Sequence, residues 1–138
     1  MNDVNDWNQQ VIAEFRQNGG KCGGVFEGAP LLILHSTGAK SGAERLNPVM
    51  YQQVDDGWAI FASKAGAPTN PDWYHNLVAN PDATIEVGTD TFAVDARVAD
   101  GEERDRIWSA QKVNAPQFAE YDESSGSRII PVVVLERR

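Results

Sequence analysis

Cysteine is nearly absent: the chain has one, Cys22. A lone thiol makes no intrachain disulfide and no zinc site, and it fits a reducing, cytoplasmic setting. It lies in "GGKCGG" with no second cysteine nearby, so it reads as an inert thiol, with a reactive one as the alternative. Long apolar runs are missing too. No segment reaches the roughly 18 apolar residues of a membrane span, and the acidic, polar start "MNDVNDWNQQ" is not expected to be a secretory signal. Positive charge is scarce: 12 Lys and Arg face 20 Asp and Glu, for a formal net charge of −8. That balance argues against nucleic acid as a partner. The two histidines, His35 and His75, lack metal-ligand company, so no metal is expected.

What remains is ordinary globular material. At 138 residues, 41% hydrophobic and 23% charged, the chain suits one domain over 1–138 with a single core. Val4, Trp7, Val11 and Phe15 recur at helical spacing, with Ile12 beside them, and Gly19-Gly20 stops the pattern. This predicts an amphipathic helix within 1–20, free to move. Its apolar face packs on the core or, in a second reading, borders a greasy substrate or touches a membrane surface peripherally. "PLLILHS", "RLNPVMYQQVD", "WAIFASK" and "IIPVVVL" read as strands, with Pro48 and Pro131 favouring edges or bulges. Asp55-Asp56-Gly57 makes one hairpin turn, and "ATIEVGTDTFAVDARVA" is a second hairpin. "NPDWYHNLVANP" predicts a short helix capped by Asn70 with Pro71 at its first position. Asp100 and Glu103 have capping-box spacing before "RDRIWSAQKV", which Pro116 should end, leaving a short piece around Phe118 and Tyr121. Hairpins outnumber parallel crossovers, so the fold class is α+β, an antiparallel sheet or small barrel with flanking helices.

From Cys22 to Ala96 there are three cations, Lys40, Arg45 and Lys64, against nine acids. All three sit in or beside glycine-bearing loops that follow strands, "HSTGAKSGAER" and "SKAGAPTNP". Cations serving solubility would be scattered. Gathered here, they point to a local anion site, with small residues that let backbone N–H groups approach and hydroxyls that add donors; the alternative is two plain exposed turns. The loop is not a Walker motif, because Leu34 and Ala39 occupy its glycine positions, and the dinucleotide fingerprint is absent. A hydrolytic set of Ser36, His75 and Asp72 can be drawn, but no nucleophile elbow supports it.

"LHSTGAKSGAERLNPVMY", "FASKAGAPTNPDWYHNLVANP" and "SRIIPVVVLER" together resemble the deazaflavin-dependent nitroreductase family, whose members use coenzyme F420. The likeness runs from about Leu31 to Arg137, and the middle block is its most specific part. It implies a split β-barrel of the FMN-binding type holding the 8-hydroxy-5-deazaflavin coenzyme F420. By resemblance Lys40, Ser41 and Arg45 hold its phosphate or acidic tail, with Lys64 reaching it. Ser63, Ala65, Gly66 and Ala67 bring donors near ring and phosphate. Pro48, Val49 and Met50 line the ring's surroundings, and Trp73, Asn76 and Leu77 complete the wall. The implied chemistry is hydride transfer to a small electrophile: a quinone, an enone or a nitroaromatic. Ser63 is the catalytic candidate for stabilising charge that develops on the acceptor, and Tyr121 a further donor or final proton source. Four positions depart from the usual pattern: Ala39 stands where an arginine often precedes the lysine, Ala65 where glycine is usual, Met50 where tyrosine can occur, and Phe118 in a stretch that keeps only Tyr121. The last points away from bicyclic nitroimidazoles as substrates. An FMN-dependent oxidoreductase on the same barrel and a non-catalytic F420 carrier are the competing readings. A small closed barrel permits a monomer or weak dimer.

Overall fold

The strand written "LLIL" is apolar at every position because it is buried on both faces. In the computed structural model β1 (Leu31–Thr37) has Leu31 to Leu34 all within 3% exposure. Leu32 and Leu34 point into a barrel; Leu31 and Ile33 point outward beneath a helix. The same double burial makes β3 (Gly57–Phe61) and the start of β6 (Val132–Arg137) continuous apolar runs. In contrast, β4 (Asp82–Val87) and β5 (Asp90–Val98) turn one face to solvent and alternate. The structure describes residues 3–23, 30–54, 57–62, 70–116, 118–120 and 129–138, with side chains from 8 onward.

Together with β2 (Glu44–Val54), these strands close an antiparallel barrel in the order β1-β2-β3-β6-β5-β4. Three helices flank it: α1 (Asp3–Gln17), α2 (Asp72–Ala79) and α3 (Gly101–Asn114). Leu32, Leu34, Trp58, Ile60, Ile85, Val94, Val133 and Leu135 fill the interior, with Trp73 and Leu77 of α2 packed against them. Outside, α3 lays Ile107 and Trp108 over Ala59, Phe61, Val132 and Val134. Val11, Ile12 and Phe15 of α1 cover Leu31 and Ile33, so the α1 face expected to pack on the core does so. After α1 the chain reverses through Gly19 and Gly20, at φ 65° and 98°.

Some local expectations hold and others are corrected. Pro48 marks an edge and not a bulge: among the described residues β3 pairs with β2 only over Tyr51–Val54, so Pro48 has β1 alone beside it, and the register with β1 runs unbroken from Met50 opposite Leu31 to Glu44 opposite Thr37. The Tyr51 N–H donates to the Pro30 carbonyl, and bonding positions alternate along an antiparallel pair. Residue 48 therefore turns its nitrogen away from β1, where a missing donor breaks no bond. Pro131, in contrast, lies one residue before β6, which is paired on both sides. In α2 the capping position belongs to Pro71, not Asn70, and no side chain caps it. Asp100 does sit at the N-cap of α3 but makes no capping bond. The box fails because Glu103 is drawn away to Arg97, which donates to it twice, at 2.6 and 2.8 Å; a bidentate charged pair outweighs one capping bond. Pro116 ends α3 as expected, with Ala115 as its C-cap. Val54 pairs with Gly57 across the first hairpin, whose turn residues Asp55 and Asp56 lie outside the described residues.

Candidate anion groove between the first helix and the β1–β2 loop

Between β1 and β2 the chain turns through residues 38–43 and braces itself. The Gly38 N–H donates to the Ala43 carbonyl at 2.7 Å, and the Gly42 N–H to the Gly38 carbonyl at 3.0 Å. The Ala43 N–H donates to Ser41 Oγ, and the Ala39 N–H to Asn76 Oδ1 at 2.9 Å. Gly42 takes φ 71°, a backbone region that favours glycine, and a Cβ on Gly38 would stand 2.6 Å from Ser41 Oγ, so a larger residue at 38 would displace that hydroxyl. Most loop N–H groups are thereby consumed internally. The donors left for a ligand are the Lys40 and Ser41 N–H groups, the Ser41 hydroxyl and the Lys40 ammonium, joined by Arg45 at the start of β2. The backbone donors expected beside the cations are thus reduced to two, and side chains carry most of the site.

This loop walls a groove of about 1150 Å³. Opposite it stands α1, with Asn8, Gln9, Ile12, Ala13 and Arg16; Asp72, His75 and Asn76 of α2 close one side, and Glu44 to Asn47 of β2 another. Lys40 and Arg45 are exposed and, among the described residues, enter no ion pair. By contrast Arg16, Arg97, Arg104 and Arg138 each lie against a carboxylate. In a chain of net charge −8, two unpaired cations, one on the loop and one at the start of β2, form a site that can take an anion. The donor set fits phosphate and carboxylate groups, and the groove is large enough for an extended polyanion.

Of the residues singled out in sequence, Lys40, Ser41, Arg45 and Asn76 come together at this groove. Pro48, Val49 and Met50 lie further along β2, half-buried, with Val49 against the barrel interior. Trp73 and Leu77 belong to the interior core. Ser63, Lys64, Ala65, Gly66, Ala67 and Tyr121 lie outside the described residues. The hydrolytic set does not assemble: Ser36 is 2% exposed, and its Oγ has no hydrogen-bond partner. Among the described residues no cluster could hold a metal ion. Cys22 is buried, its thiol pushed up by burial and by Glu14, which agrees with inert chemistry.

Sequence reasoning missed Arg16 and its row. Arg16 donates from Nε and Nη2 to Glu86, at 3.0 and 2.7 Å. This pairing holds the Glu86 carboxyl below the usual range, against an opposing push from burial, with His35 helping to lower it. The Arg16 guanidinium is in turn raised. The only sequence signal was a cation in the last turn of an amphipathic helix.

Comparison with known proteins gives this groove a context. The family model for F420H2-dependent quinone reductases matches residues 7–137. An F420H2-dependent quinone reductase of Mycobacterium tuberculosis H37Rv is 43% identical over 130 residues, spanning 91% of this chain and 87% of the relative. A solved F420H2-dependent reductase superposes with TM-score 0.71 at 37% identity, covering 78% of this chain and 94% of that one. A second structure, described as a domain-swapped dimer, gives 0.72 at 33% identity over 97% of this chain and all of that one. No described helix is long and apolar enough to cross a membrane. A closed antiparallel barrel with unpaired cations in and beside its β1–β2 loop, matched along almost its whole length, belongs to the F420H2-dependent quinone reductase family: the chain is an F420-dependent reductase with a split-barrel fold.

Proposed function

We propose that this protein reduces quinones with reduced coenzyme F420, and that the anionic part of the coenzyme lies in the groove between α1 and the β1–β2 loop. The observation carrying this reading is the pair of unpaired, exposed cations, Lys40 and Arg45, on a groove of an otherwise acidic chain. When bound, F420 supplies a hydride donor, and the protein supplies position and charge. Lys40 and Arg45 bind phosphate or carboxylate groups. Ser41 adds a hydroxyl, and Asn76 keeps the loop in shape through the Ala39 N–H. Lys64 extends the grip from the second loop, where Ser63, Ala65, Gly66 and Ala67 approach the ring. Pro48, Val49 and Met50 on β2, with Trp73 and Leu77 behind them, fix the barrel end against which the ring rests. Ser63 donates to the acceptor oxygen as charge develops there, and Tyr121 serves as a further donor. These roles for the second loop and Tyr121 rest on the sequence resemblance.

Enones and nitroaromatics share with quinones an oxygen or double bond that gains charge on reduction, and they extend the proposed range. A screen of quinones, enones and nitroaromatics with reduced F420 tests the reading: quinones should reoxidise the coenzyme in proportion to enzyme. Tight F420 binding with no acceptor-dependent reoxidation across the panel would make the protein a carrier. A yellow purified protein that ignores F420 would make it an FMN enzyme.

A further inference from the structure

A row of four charged or titratable side chains crosses from α1 to the mouth of the groove. Arg16 holds Glu86, Glu86 Oε2 lies 2.6 Å from His35 Nε2, and His35 Nδ1 lies 3.3 Å from Glu44 Oε2. The register explains the alignment. His35 is opposite Leu46 on β2 and Thr84 on β4, which makes Glu44 and Glu86 its diagonal neighbours on the outer barrel face. Among the described residues, the charged groups facing His35 are Glu44 from β2, Glu86 from β4 and, through Glu86, Arg16 from α1.

A carboxylate only accepts hydrogen bonds, and neutral imidazole has one N–H and one lone pair. Both contacts of His35 are therefore favourable only when the ring is protonated. On deprotonation one nitrogen presents a lone pair to a carboxylate, and one contact must open. Glu86 is 17% exposed and tied to Arg16, whereas Glu44 is 68% exposed, so Glu44 leaves. Glu44 lines the same groove as Lys40 and precedes Arg45 directly. A released Glu44 is an internal anion beside those cations.

We infer that Glu44 is an intramolecular competitor for the groove's cations, and that charged His35 sets the groove's affinity for a phosphate-bearing polyanion by holding Glu44 aside. The inference rests on the reading that the groove binds F420. As pH rises and His35 loses its proton, the groove loses a nearby positive charge and gains a free negative one, and polyanion affinity falls. By linkage, a bound polyanion favours protonated His35.

The test is fluorescence titration of the protein with F420 near pH 6 and near pH 8, a range in which histidine can change charge. The ligand's own titration is common to all variants and cancels in their ratios. The wild type should lose about fivefold more affinity over this interval than Glu44→Gln. His35→Gln should bind at both pH values as weakly as wild type at the higher one, and adding Glu44→Gln to it should restore tight binding. Glu44 is exposed, so its variant tests the idea even if His35→Gln folds poorly. Equal pH dependence in wild type and Glu44→Gln overturns the inference and leaves F420 binding standing. No F420 binding by any variant at either pH overturns both.

Discussion

Lys40 and Arg45 were legible because positive charge is scarce: in a stretch with nine acids, each cation stands out. Asn76 was legible only through family resemblance, and the structure supplies its physical task, an 8% exposed amide accepting the Ala39 N–H. Replacing it with alanine leaves that N–H without its partner and frees the loop. Asn76→Ala should weaken F420 by about tenfold in a fluorescence titration, while turnover at saturating coenzyme stays near wild type. Ser63→Ala should do the reverse, lowering turnover by about 10²-fold with little change in coenzyme affinity; a loss confined to affinity would remove Ser63 from the chemistry. Arg16 was invisible as a groove residue because its partner Glu86 is 70 positions away, and no local pattern encodes such a pair.

At the scale of elements, strands and helices followed from apolar spacing, but their ends did not. The α3 capping box failed because a β5 arginine took its glutamate, a tertiary contact that spacing does not record. Two glycines hold element junctions where nothing larger fits. A Cβ on Gly57 would collide with the Leu135 carbonyl, and one on Gly20 would meet Gly88 Cα at 2.6 Å. Gly57→Ala should cost about 1–3 kcal/mol, seen as a lowered melting temperature, and Gly20→Ala should loosen α1 from the β4–β5 turn. The Arg16–Glu86 pair gives α1 a pH signature. Because the folded Glu86 carboxyl lies below its unfolded value, its stabilisation is present above the ordinary glutamate value, about 4.3, and is lost as pH falls through the folded value. Glu86→Gln should therefore flatten the acid limb of stability measured by denaturant unfolding; an unchanged limb would show that the pair contributes nothing.

For the whole molecule, hairpin count led to a small antiparallel barrel, while its closure depends on pairings that no hairpin announces. β1 meets β4 and β3 meets β6 across long stretches of sequence, and the double burial of β1, β3 and β6 is the trace that closure leaves in composition. Closure removes free strand edges and leaves the loops at one end, with α1, to form the groove. The molecule's net charge of −8 makes the local cations decisive, since the overall field repels a polyanion. The most direct measurement is a fluorescence titration of F420 against wild type and Lys40→Ala/Arg45→Ala at low and high salt. Saturable binding that weakens with salt in the wild type, and is about 10²-fold weaker and nearly salt-independent in the double variant, is the predicted result. Equal affinity and equal salt dependence in the two proteins would contradict the account.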